Sequence, residues 1–184
     1  MQQTKAVKAS KLWQEKNIIT DFDSSPIRKI SQEWIALSSG TKDEYNTMTA
    51  SWGALGYLWE RSIAIVYVRP TRHTYDLMEK QDCFTLTFFD KSLKAKVHKI
   101  FGNKSGRNID KAKEAAVTPI YFDENIIGFE EAKETIVCKK IYFGDFNPNN
   151  FLDKEINNFY PAKDYHRVYI GEIKRFYKKS EIQK

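Results

Sequence analysis

Seven short runs of apolar or alternating residues constrain this chain more than any other feature. They span residues 34–40, 45–52, 63–68, 84–89, 120–122, 132–143 and 167–176. Residues 84–88 alternate with a period of two, as a strand with one buried face requires. Residues 63–68 (Ile-Ala-Ile-Val-Tyr-Val) are apolar almost throughout and read as a central strand. The polar turn Thr41-Lys42-Asp43-Glu44 joins the first two runs into a hairpin. Helical patterns are fewer and short, at 71–80, 94–100, 109–116 and 151–159. A doubly wound sheet needs strands and long helices in strict alternation, and that is missing. The expected class is therefore mainly β with peripheral helices, an antiparallel Greek-key-like barrel.

A length of 184 residues fits one domain with a sizeable core. Residues 1–24 read as a polar, lysine-bearing arm, partly helical around Leu12 and Trp13, and 25–184 as a single domain. Ser25-Pro26 opens a short helix, with a capping hydroxyl followed by a proline at the first helical position. Gly53-Ala54-Leu55-Gly56 interrupts the strand pattern. The helix at 109–116 is expected to be capped by Asn108. Residues 174–179 (Lys-Arg-Phe-Tyr-Lys-Lys) read as a solvated basic terminus.

Several classes are excluded. No apolar run approaches the ~18 residues of a membrane span, and the N-terminus lacks the apolar core of a secretory leader, so a cytoplasmic protein is expected. Cys83 and Cys138 form neither a CxxC pair nor a metal-ligand spacing, and no HExxH is present, so no metal is expected. GxGxxG, GxxxxGK[ST] and GxSxG are all absent. The net charge of +6 is scattered rather than clustered, which argues against nucleic acid as the partner.

What remains is a hydroxyl-rich strand and an arginine-bearing turn. In Asn46-Thr47-Met48-Thr49-Ala50-Ser51-Trp52, alternation puts Asn46, Met48, Ala50 and Trp52 on one face and the hydroxyls on the other. Arg69-Pro70-Thr71-Arg72-His73-Thr74 places two guanidiniums where an apolar strand meets a helix, whose first N–H groups favour an anion. Gly102-Asn103-Lys104-Ser105-Gly106-Arg107 is a second glycine- and cation-bearing loop before a helix. Together they suit a planar ligand with a phosphate end. The same residues also fit a bland account in which a capping threonine, surface arginines and a threonine-rich strand need no ligand. His166, beside Asp164, is either a proton carrier, a donor to a cofactor, or a hydrogen-bonded structural histidine.

These motifs, with 84–89 and the segment Asp164-Tyr-His…Gly171-Glu-Ile, occur in the order found in flavin reductase-like proteins. The chain resembles that family, which includes the flavoredoxins, from about Ser25 to Tyr177. The resemblance implies the FMN-binding split β-barrel fold and a homodimer with FMN near the subunit interface. It further implies an NAD(P)H-dependent oxidoreductase, with NADH or NADPH passing hydride to flavin N5. By motif position, Asn46, Met48, Thr49, Ala50, Ser51 and Trp52 would flank the ring and ribityl groups. Arg69, Pro70, Arg72 and Thr74 would hold the phosphate. Lys104, Ser105 and Arg107 match the family's SGR segment, and His166 matches a histidine near the flavin or nicotinamide. Where the family often has Asp-x-Asp-Lys, this chain has Asn108-Ile109-Asp110-Lys111. The family also contains non-enzymatic electron carriers, so the fold does not decide the activity.

Overall fold

The structure, a computed structural model, describes residues 3–180. The chain runs through β1 (Val7–Lys8), β2 (Trp13–Lys16), α1 (Ile18–Asp21) and α2 (Pro26–Arg28), which passes into a π-helical turn (Lys29–Glu33). Then follow β3 (Ile35–Gly40), β4 (Tyr45–Ala50), β5 (Gly53–Leu58), β6 (Arg61–Val68), α3 (His73–Lys80), β7 (Cys83–Phe89), α4 (Lys91–Asn103) and α5 (Lys111–Ala115). β8 (Pro119–Asp123), β9 (Ile126–Phe129), β10 (Ala132–Asp145), two 3₁₀ turns (Pro148–Asn150 and Lys154–Phe159) and β11 (Arg167–Lys179) complete it.

The long strands β10 and β11 form the spine. Their antiparallel pairing runs from Glu134↔Lys178 to Asp145↔Arg167, with register shifts at Val137/Cys138 and Lys140/Tyr142. Such bulges bend a ribbon and raise its twist, so one pair of strands can serve two sheet halves. β10 takes β7, then β3 and β4 on one side. The first part of β11 takes β6 and β5 on the other, and its last four residues take β2. A smaller sheet has the order β1-β8-β9, with β1 parallel to β8.

β3 is buried along its whole length because a core lies on each face. Ile35 and Leu37 pack with Met48, Val66, Phe84, Leu86, Phe88 and Tyr169. Ala36 faces Phe89, Val97, Phe101, Ile120 and Phe129. Gly40 closes the β3–β4 hairpin at φ 130°, where a Cβ would lie 2.3 Å from the Glu44 carbonyl oxygen. Only glycine fits that position.

All seven expected strands form, and several local expectations are corrected. Trp13 begins strand β2 and is buried against Phe122, rather than sitting in a helix. Residues 53–58 are strand β5, hairpinned to β6; its exposed positions hide the periodicity. β6 therefore lies one strand in from the sheet edge rather than at its centre. α5 is capped by Asp110, whose carboxylate accepts from the Lys113 N–H (3.2 Å) and the Thr4 N–H (2.6 Å), not by Asn108. Residues 174–179 are the second half of β11, with Phe176 buried, rather than a solvated terminus.

Candidate functional site

The end of β4 turns at Ser51-Trp52 into β5, which pairs with β6, and β11 starts beside the end of β6. This convergence forms a cleft of about 190 Å³ lined by Met48, Thr49, Ala50, Ser51, Trp52, Tyr67, Arg69, Arg72 and His166. Its walls are aromatic. The Trp52 and His166 rings are 5.2 Å apart, Trp52 meets Phe159 edge-on at 5.5 Å, and Tyr67 stacks on Phe146. Trp52 stays 43% exposed, leaving a large apolar surface at the mouth. Burial beside Arg69 pulls His166 down to about 4, so its imidazole is neutral at physiological pH.

A second recess, of about 140 Å³, shares Met48 and Arg72 with the first and is lined further by Asn46, Thr71, His73, Thr74, Asn103, Lys104, Ser105, Gly106 and Lys111. The two volumes together reach the lower end of the ~300–1,000 Å³ typical of ligand pockets. Neither lining contains a carboxylate or a thiol. Asn46 donates its amide N–H to Thr74 Oγ1 at 2.7 Å, which leaves the threonine proton for another acceptor. The N–H groups of His73 and Thr74, at the start of α3, have no partner among the described residues. A Cβ at Gly106, in the loop closing the recess, would meet the Asn46 amide oxygen at 2.0 Å, so a side chain there would push aside the amide that bonds Thr74.

Lys111 is buried at the floor of this recess. Its ammonium donates to the Thr47 and Phe101 carbonyls at 2.8 and 3.0 Å. Its third proton has no partner among the described residues, and no carboxylate pairs with it there. Burial first, and Arg72 second, bring its titration down to about 8. A cation this buried without a counter-charge is costly, and a dianion in the recess would relieve that cost. A phosphate monoester fits this donor set.

The structure brings together Asn46, Met48, Thr49, Ala50, Ser51, Trp52, Arg69, Arg72, Thr74, Lys104, Ser105 and His166 around the two recesses. It leaves out Pro70, which is exposed in a turn, and Arg107, which pairs with Asp76 at 2.5 Å and donates to the Thr71 carbonyl. Arg69 is engaged already: it donates to Asp164 at 2.7 Å and to the Phe159 carbonyl at 2.8 Å. The hydroxyl face of β4 serves packing as well. Thr47 bonds Ser38 at 2.8 Å, and Thr49 donates to the His98 carbonyl. Sequence reasoning did not single out Lys111 or Tyr67, and it quoted Thr71, His73, Asn103 and Gly106 only inside their motifs without naming them as site residues. Lys111 stood in the segment compared with Asp-x-Asp-Lys, but nothing in a sequence shows that a lysine faces inward.

No protein-family model matches the chain, and no curated protein matches it in sequence. Solved structures do resemble it. One is an FMN-binding domain of a flavin reductases-like enzyme from Shewanella baltica, with TM-score 0.64 at 15% identity over 94% of this chain and 79% of that one. The flavoredoxin of Desulfovibrio vulgaris has TM-score 0.61 at 18% identity, over 91% and 78%. Nitrilotriacetate monooxygenase component B from Bacillus cereus has TM-score 0.62 at 16% identity, over 86% and 72%. At these identities the likeness is one of fold. It is the mainly antiparallel β architecture with peripheral helices that the strand pattern predicts, in the split-barrel type of fold that the resemblance implied.

Proposed function

We propose that this protein is a flavoprotein that binds FMN across the two joined recesses and acts as an NAD(P)H-dependent oxidoreductase of the flavin reductase type. The observation that carries the reading is the pairing of an aromatic-walled cleft with a cationic recess free of carboxylates, joined at Met48 and Arg72. The ring and ribityl end lies along Met48, Thr49, Ala50, Ser51 and Trp52, with Arg69 and His166 opposite. The phosphate end lies among Asn46, Arg72, Thr74, Lys104, Ser105 and Lys111. Bound FMN supplies a ring that takes up a hydride or single electrons. The chain's residues bind, orient and exclude water; the neutral imidazole of His166 contributes one N–H or one lone pair at the cleft, according to its tautomer.

A homodimer belongs to this reading. Tyr57, Trp59, Tyr142 and Phe143 are all more than half exposed, and the Trp59 and Tyr142 rings lie 6.4 Å apart. Exposed aromatic rings such as the Trp59–Tyr142 pair suit burial by a second copy.

Solved structures of the same fold include flavoredoxins, so an FMN electron carrier is the second reading. Purified protein is expected to be yellow. Anaerobic mixing with NADH and with NADPH separates the two readings and identifies the donor: the reductase bleaches with one of them. A carrier bleaches only with a chemical reductant such as dithionite. Protein that neither retains nor takes up FMN sinks both.

A further inference from the structure

The loop between β10 and β11 turns inward at a tyrosine that the flavin reading leaves without a role. Tyr160 follows the second 3₁₀ turn and is 5% exposed. Its hydroxyl lies 2.8 Å from His166 Nδ1, and no other partner for it exists among the described residues. Three further contacts hold the ring. It stacks with Phe151 at 6.0 Å, meets Tyr165 at 4.9 Å, and carries the Arg69 guanidinium over its face at 5.0 Å. Arg69 is itself fixed by Asp164. Tyr160 is thus placed by packing and its hydroxyl by geometry, with one acceptor available.

A buried O–H that donates nowhere is unfavourable, so the satisfied arrangement has the phenol donating to Nδ1. A neutral imidazole carries one proton, so that proton must then sit on Nε2. Nε2 has no hydrogen-bond partner among the described residues, and the ring lines the cleft.

We propose that Tyr160 is a positioning residue: by donating to Nδ1 it fixes His166 as the Nε2–H tautomer and holds that N–H as a donor for the ligand's ring in the cleft. The ligand part rests on the FMN reading; the tautomer part does not. The groups facing His166 are consistent with a neutral donor. Arg69 and Arg72 disfavour the imidazolium, Asp164 favours it, and Trp52 and Tyr67 add apolar rings on two sides. Burial also pushes the Tyr160 phenol up, so it keeps its proton. A donor here addresses a carbonyl oxygen or an unprotonated ring nitrogen, the acceptors an isoalloxazine edge presents.

The test has two parts. Nitrogen-15 NMR of the His166 ring in flavin-free wild-type protein is expected to find the proton on Nε2 and an accepting Nδ1. A proton on Nδ1 overturns the proposal and needs no variant. In Tyr160→Phe, loss of the donor to Nδ1 is expected to raise the His166 titration midpoint, and an unchanged midpoint overturns it. Flavin titrations then address the ligand. Tyr160→Phe should weaken FMN and riboflavin by the same factor of about ten, because the affected contact is at the shared ring. His166→Gln, whose amide nitrogen falls near the Nε2 position, should retain more affinity for both than His166→Ala. Wild-type affinity for both flavins in Tyr160→Phe overturns the proposal. Absence of flavin binding in the wild type sinks the functional reading instead, so the two failures are told apart.

Discussion

Two lysines are buried to nearly the same degree, and they differ in what neutralises them. Lys29, 5% exposed, lies 2.6 Å from Glu134 Oε2 and 3.1 Å from Glu33, above the Phe88 ring. The Glu134 contact is close in charge though off the angle a hydrogen bond requires. Lys111, 8% exposed, has only the Thr47 and Phe101 carbonyls. The first charge is balanced from within the fold and joins the π-helical turn to β10. The second faces a recess whose lining adds Arg72 and Lys104 but no carboxylate. The ion pair is complete within the fold, whereas the Lys111 ammonium keeps a proton without a partner among the described residues, facing the recess where the phosphate is proposed to bind.

Mutation separates the two roles. Lys29→Met should produce the largest effect, a loss of roughly 3–5 kcal/mol in stability, because Glu134 is left buried with only the more distant Lys178. Urea denaturation measures it, and FMN affinity of the folded fraction should not change. Lys111→Met should do the reverse. FMN should weaken about 100-fold, by roughly the 1.5–3 kcal/mol of a charged hydrogen bond, while riboflavin changes little and stability holds or rises. If Lys111→Met instead unfolds the protein and Lys29→Met does not, the assignment of roles is inverted.

The pH dependence sharpens the same contrast. Lys111 titrates near 8 in the folded protein, against 10.5 for an ordinary lysine. Below pH 8 both folded and unfolded states hold the proton. Between about 8 and 10.5 the unfolded state binds more, so this group's contribution to stability rises with pH. FMN affinity should move the other way over that window, by about tenfold, as the ammonium is lost; riboflavin should not follow. Flat FMN affinity from pH 7 to 10 would place the phosphate elsewhere. The smallest effects belong to the arginines. Arg72→Ala should weaken FMN several-fold more than riboflavin. Arg69→Ala, because Arg69 is tied to Asp164, should affect the two flavins alike, and a phosphate-selective loss there would move the phosphate towards Arg69.

Much of this was legible before the structure. Alternation and turn chemistry located the β3–β4 hairpin, β7 and the spine strands, because those strands carry continuous apolar faces. β5 escaped because it is an exposed edge strand, and β2 because its pairing partner lies at the far end of the chain. Within the site, local motifs named twelve of the lining residues. Lys111 and Tyr160 were not legible for one shared reason. Each takes its meaning from an inward direction and a distant partner, Thr47 for one and Arg69, over the ring that reaches nearby His166, for the other, and neither is encoded in local pattern.

The most direct measurement is a titration of flavin-free wild-type protein with FMN and with riboflavin, followed by flavin fluorescence. FMN should saturate at one per chain, with riboflavin about 100-fold weaker, the difference arising at the phosphate recess. Equal affinities would contradict the phosphate site, and no fluorescence change with either flavin would contradict the account as a whole.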